Sequence, residues 1–141
     1  MKIIFFSDLH NDIDSLERLV SREEGIFYCL GDSELSNEQL KKYNIISVKG
    51  NCDNIQLPNE LIIEIENKKV LLTHGHMFNV KFTLNNLYYH TKSSMCNIVI
   101  FGHTHRITKV EEDITMYNPG SIRDNGSYIV FENDKFEIKY L

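Results

Sequence analysis

The chain opens on the apolar run Lys2 to Phe6, which predicts a short buried strand. Next, Ile13, Leu16, Leu19 and Val20 fall on one face of a helical repeat, and Asp14 and Glu17 have capping-box spacing near its start. Ile26 to Leu30 reads as a second strand, a short polar helix is expected from about Ser36 to Lys42, and Ile45 to Val48 reads as a third strand. This alternation of strand and helix with short connections points to parallel βαβ units. The second half changes character. Leu61 to Glu66 and Lys69 to Thr73 flank Asn67-Lys68, the pattern of a hairpin, and a mixed helix from about Phe82 to Lys92 precedes the strand Asn97 to Phe101. Three or four short strands then follow, Thr108 to Glu112, Ile114 to Tyr117, Tyr128 to Glu132 and Phe136 to Tyr140, with Asp113 and Asn133-Asp134 at turns. The expected class is α/β with mixed sheets, β-rich toward its end.

Five of these strands run into side chains that bind metals. The first leads to Ser7-Asp8-Leu9-His10, the second to Gly31-Asp32, and the third to Gly50-Asn51-Cys52-Asp53. Val70 to Thr73 leads to His74-Gly75-His76, and Ile98 to Phe101 to Gly102-His103-Thr104-His105. Ligands bind beyond the carboxyl ends of strands in open α/β sheets, so strands sharing one sheet and direction would bring these turns to one rim. Of six histidines, all but His90 lie in these turns. Imidazole mixed with carboxylate suits Zn, Mn, Fe or Ni better than Ca or Mg. The intervening residue in Asp8-x-His10 and His103-x-His105 would put each pair on one side of an extended segment, and the two histidines of the second pair could reach neighbouring ions. Singly, each motif has a bland reading as a solvated turn or capped loop. Their order, each after an apolar run, favours a metal centre.

Composition narrows the classes. A chain of 141 residues with 42% hydrophobic and 25% charged content is expected to form one globular domain. No apolar run approaches the ~20 residues needed to cross a bilayer, and the opening run is too short for a signal peptide. Three cysteines without paired spacing favour a reducing, cytoplasmic setting over a disulfide framework. A formal net charge of -5 disfavours long nucleic acid but not a phosphate substrate, because bound cations reverse the local field.

Taken together, Asp8/His10, Gly31-Asp32, Gly50 to Asp53, His74 to His76, Gly102 to His105 and Asn118-Pro119-Gly120-Ser121 resemble the ordered motifs of the calcineurin-like metallophosphoesterases, in particular their small bacterial and archaeal phosphodiesterase branch. The resemblance spans nearly the whole chain. It implies a four-layer αββα sandwich of two mixed sheets flanked by helices, one domain over residues 1–141, and a centre of two divalent transition-metal ions. Mn²⁺ is the first expectation, with Ni²⁺, Zn²⁺ or Fe as the others. By the same resemblance Asp8, His10 and His105 hold one ion, Asn51, His74 and His103 the other, and Asp32 bridges them, with a metal-bridging hydroxide as nucleophile.

Asp32, Asn51, Cys52, Asp53 and His76 are the candidate catalytic residues. Cys52 stands where larger relatives carry a histidine that helps protonate the leaving group. A thiol with an ordinary pKa of ~8.5 is a weak donor, so leaving-group assistance should be weak and aryl diesters the best substrates. A small packed residue is the other reading of Cys52. Asp53 either orients a neighbour or caps its turn, and His76 contacts phosphate or a ligand. Asn118 to Ser121 should support the site, His90 is a helix histidine, and Arg106 and Arg123 either reach phosphate or are solvated. Two features depart from the resemblance: Asn11 replaces a glycine after Asp-x-His, and no Pro-Arg pair follows Ser121. The short chain implies an open, shallow site. A small phosphodiester is the expected partner, no membrane is expected, and a homodimer follows by analogy. The rival readings are a non-catalytic scaffold, as in a eukaryotic retromer subunit of this fold, and a phosphomonoesterase.

Overall fold

A computed structural model describes all residues from Met1 to Leu141. Ten strands form two mixed five-stranded sheets. In the first, β1 (Ile3–Phe6), β2 (Ile26–Cys29) and β3 (Ile45–Ser47) run parallel, and β9 (Ser127–Glu132) and β10 (Lys135–Tyr140) add antiparallel on the far side of β1, giving the order β10-β9-β1-β2-β3. The second contains β4 (Glu60–Ile65), β5 (Lys68–Thr73), β6 (Ile98–Ile100), β7 (Ile107–Glu111) and β8 (Thr115–Pro119) in the order β4-β5-β6-β8-β7, with β5, β6 and β8 parallel.

The central strands β1 and β6 are continuous apolar runs because they are covered on both faces, whereas the edge strands β7 and β10 alternate. From β1, Ile4 and Phe6 point to a core shared with Leu16 and Leu19 of α1 (Ile13–Arg22) and Leu40 of α2 (Asn37–Lys42). Ile3 and Phe5, one register away, point to a second core with Val70, Leu72 and Ile100 of the other sheet. A third core joins Leu71, Val99 and Met116 to Leu87 of α3 (Asn85–Ser93). Three cores stacked between helices, sheet, sheet and helix are the four-layer sandwich.

Local details differ from the sequence reading where a nearby side chain decides. The cap of α1 is Asp12, whose carboxylate accepts from the Ser15 hydroxyl at 2.7 Å; Asp14 lies inside the first turn. The β4–β5 turn is Glu66-Asn67, both at positive φ (48° and 70°), which matches the twist of a two-residue hairpin; Lys68 is already strand. Phe82 to Leu84 precede α3, because the Phe82 and Thr83 amides bond back to the carbonyl of left-handed Asn79 and close a separate turn. Pro119 ends β8. The 3-10 turn His76–Phe78 and the short helix α4 (Ile122–Asn125) had no expectation.

Candidate metal centre

The five ligand-rich turns do meet, but not on one sheet. β1, β2 and β3 supply three of them and β5 and β6 of the second sheet supply two, so the pocket forms where the carboxyl edges of both sheets come together. Asp8, fully buried just beyond β1, ties them. Its Oδ1 lies 3.1 Å from His74 Nε2, and its Oδ2 accepts from the His103 amide at 3.1 Å and the Ser7 hydroxyl at 2.6 Å. Glycine is needed at two approaches: a side chain on Gly102 would strike Ser7 Oγ and the Asp8 carboxylate, and one on Gly50 would strike Asp32 Oδ1.

The backbone here is locally unfavourable. Asp8, His10, Asp32, His103 and His105 all have positive φ, between 49° and 72°. A non-glycine residue in that region costs of order 1 kcal/mol or more, held in place by its surroundings. The amides of His10 and Asn11 bond to the carbonyls of Asp32 and Ser33 at 2.9 and 2.8 Å and supply part of that hold. Asn11 itself sits at φ 61°, a conformation that asparagine tolerates better than most residues, so its replacement of glycine leaves the helix entry intact. The Asp8-x-His10 and His103-x-His105 segments are therefore kinked instead of extended, and His103 and His105 part to different clusters.

The first cluster is Asp8, His10 and His105: His10 Nε2 and His105 Nε2 are 3.4 Å apart and lie 3.8 and 3.3 Å from Asp8 Oδ1. The second is Asp32, His74 and His103, with Asp32 Oδ2 3.4 Å from His74 Nε2 and the His74 and His103 ring centroids 5.0 Å apart. Asp8 Oδ1 is the atom that touches both. Each cluster's candidate donor atoms lie within 4.8 Å of one another. His74 Nδ1 also faces His76 Nδ1 at 3.1 Å.

The protonation states suit cation binding. Burial opposes ionisation of Asp8, but the hydrogen bond and charge of His74, with Ser7 and His105, outweigh it and hold the carboxyl below its ordinary range. Burial, then the charges of His74 and Lys81, push His103 down to about 4. Burial, then His74, lowers His76 as well. Carboxylates set among imidazoles whose nitrogens face one another at 3.1 and 3.4 Å form a donor set matched to divalent transition metals.

The remaining candidates take other places. Asp53 is buried, and its carboxylate accepts the amides of Asp32 (3.0 Å), Gly50 (2.7 Å) and Glu34 (3.0 Å), which staples two of the turns together. The Cys52 amide donates to Asp32 Oδ1 at 2.8 Å, and burial followed by the charges of Asp32 and Glu34 pushes its thiol up. Asn51 is exposed, its amide nitrogen 3.6 Å from Cys52 Sγ, and it hydrogen-bonds to neither cluster. Asn118 donates to the Gly102 carbonyl and to Thr104 Oγ1, both at 3.0 Å, and Ser121 Oγ donates to the Asp8 carbonyl at 2.9 Å. Arg123 pairs with Asp124, and His90 pairs with Glu60 against Phe78.

Sequence reasoning missed Glu34 and Asp124, whose carboxylates lie 2.7 Å from His10 Nδ1 and His105 Nδ1. Glu34 could have been suspected from its place two residues after Asp32. Asp124 carries no such signal. The largest groove, about 900 Å³ between Lys68, Lys109, Tyr117 and Phe136, contains none of the cluster residues.

The calcineurin-like phosphoesterase superfamily domain matches residues 1–135. The chain is 32% identical to the probable metallophosphoesterase YsnB of Bacillus subtilis (strain 168), over 99% of its own length and 90% of that protein's. It is 25% identical to the phosphodiesterase YfcE of Escherichia coli (strain K12), over 98% and 91%. Among solved structures, a conserved uncharacterized protein of Streptococcus pneumoniae TIGR4, described as a predicted phosphoesterase, superposes with a TM-score of 0.83 at 29% identity, covering 99% of this chain and 88% of that one. Vps29 of Entamoeba histolytica, solved with Zn²⁺, superposes with a TM-score of 0.78 at 22% identity, over 100% and 98%; that likeness is one of fold.

Proposed function

The chain belongs to the calcineurin-like phosphoesterase superfamily, and from that premise we propose that it is a phosphodiesterase dependent on two divalent transition-metal ions, Mn²⁺ first among them. One observation carries the reading: turns from both sheets bring two carboxylate–imidazole clusters together at the buried Asp8 carboxylate. Asp8, His10 and His105 would hold one ion, His74, His103 and Asn51 the other, with Asp32 between them. Bound there, the ions would activate a water for attack on phosphorus and neutralise the phosphoryl oxygens. The chain's own part is to aim the imidazole nitrogens, to keep Asp8 ionised and His103 neutral, and to hold the Asp32 carboxylate through the Cys52 amide. Asp53 orders the turns, and His76 is the group nearest the second cluster that could reach a phosphate oxygen. Cys52 stays protonated and donates weakly, so diesters with good leaving groups are the expected substrates. Three free thiols and the absence of any helix long and apolar enough to cross a membrane are compatible with a cytoplasmic setting.

The test is hydrolysis of bis-p-nitrophenyl phosphate with added Mn²⁺ or Ni²⁺, against an EDTA control. Turnover should require metal, exceed that on alkyl monoesters, and fall together with metal content in Asp32→Asn. A chain that binds metal but hydrolyses no phosphodiester would be a scaffold or a phosphomonoesterase, and this reading would be lost.

A further inference from the structure

His10 and His105 come from opposite ends of the chain, but their environments are alike. Their Nε2 atoms are 3.4 Å apart and directed at Asp8 Oδ1. The other nitrogen of each ring meets a carboxylate at 2.7 Å, Glu34 Oε2 for His10 Nδ1 and Asp124 Oδ2 for His105 Nδ1. An ionised carboxylate only accepts, and the contact at Nδ1 (2.7 Å) is shorter than those from Nε2 to Asp8 Oδ1 (3.8 and 3.3 Å), so the geometry favours a neutral ring with its proton on Nδ1 and a lone pair on Nε2.

Both carboxylates are anchored. Glu34 sits at φ 56°, and its amide is bonded to Asp53 Oδ1 at 3.0 Å in the turn that follows β2. The Asp124 amide is bonded to Ser121 Oγ at 3.0 Å in α4. Arg123 Nε occupies Asp124 Oδ1 at 2.9 Å, and Oδ2 is the oxygen left to His105. The second cluster lacks such partners: His74 Nδ1 faces another imidazole, and His103 and His76 make no side-chain bond to a carboxylate.

We propose that Glu34 and Asp124 are a matched pair of positioning residues that lock His10 and His105 in the metal-binding tautomer and make the first cluster the tighter of two unequal ion sites. The proposal rests on reading the pocket as a metal centre. A carboxylate on the far nitrogen raises the basicity of a ligating imidazole, and removing such a partner costs about 10- to 100-fold in metal affinity. Charge adds to the difference mainly through Glu34, since Asp124 is paired with Arg123, whereas the charge of Lys81 bears on the second cluster.

The test is calorimetric titration of the EDTA-treated full-length protein with Mn²⁺, for the wild type, Glu34→Ala and Asp124→Ala. Both side chains are about two-fifths exposed, so both variants should fold. The wild type should show one tighter and one weaker site. Each variant should weaken the tighter site about 10- to 100-fold and leave the weaker within about threefold. Nitrogen-15 spectra of the metal-free imidazoles should show His10 and His105 protonated at Nδ1 in the wild type and mixed in the variant lacking the partner. Unchanged affinity, equal loss at both sites, or Nε2 protonation in the wild type would overturn the proposal. If the wild type takes up no Mn²⁺, the metal-centre reading falls, and the metal-free spectra still decide the pairing.

Discussion

Glu23 and Asp8 are both carboxylates with almost no exposure, but they keep different company. Glu23, before β2, receives Lys2 Nζ at 2.8 Å and the Tyr128 hydroxyl at 2.7 Å, with Lys139 Nζ at 3.9 Å. Every partner is a donor. Asp8, after β1, sits among imidazoles that also face one another, His10 on His105 and His74 on His76, on backbone in the left-handed region. The first arrangement is satisfied by the protein alone. The second sets imidazole nitrogens and carboxylate oxygens against one another, a donor set that a cation would suit. On the proposed function, the buried charge near the amino ends of β1 and β2 serves stability, and the one beyond their carboxyl ends would serve a ligand.

The sharpest break of that contrast is Asp8→Asn. Turnover on bis-p-nitrophenyl phosphate should fall at least about a hundredfold. The metal-induced rise in Tm, about 8 °C for the wild type at a hundredfold excess of ion over Kd, should disappear. Glu23→Ala should do the reverse. Stranding Lys2 and Tyr128 should cost about 3 kcal/mol in urea unfolding while Mn²⁺ affinity stays unchanged. Equal effects of the two variants on metal uptake would dissolve the distinction.

Acid offers a milder probe. His103 has its pKa depressed to about 4 in the folded protein, and His76 is lowered too, so between roughly pH 6.5 and 4 the unfolded chain takes up protons that the folded one refuses. Stability of the EDTA-treated protein should therefore fall as pH drops through that window, and His103→Gln should flatten the slope. Asp8 and Glu23, both lowered, contribute stability present above their ordinary carboxyl values and lost only below about pH 4. The smallest effect belongs to Cys52. Cys52→Ala should slow turnover less than about tenfold, and alkylation of the native thiol should stay slow at neutral pH because that thiol is pushed up.

Much of the fold was legible because burial writes itself into short patterns. Ile3 to Phe6 and Ile98 to Ile100 are apolar and buried throughout, since cores lie on both sides of them; β2 is apolar too, although Ile26 at its start is exposed. The turns after them were legible because metal-binding residue types crowd there. Competition between neighbouring side chains was not. Asp12 and Asp14 both suit a cap, and the Ser15 hydroxyl selects Asp12. The division of the five strands between two sheets was hidden too, because an apolar strand shows the same pattern whichever sheet buries it.

The order of turns and residue types, and with them the kind of chemistry on offer, follow from the sequence, because strand periodicity and donor identity are local properties. Which carboxylate backs which histidine was decided only by the packing of the two sheets. Glu34 lies 24 residues from His10 and Asp124 lies 19 from His105, and no local pattern records such meetings. Chain connectivity sets what each turn carries. The geometry of the sandwich sets how far apart the carried atoms stand, and metal affinity depends on those distances.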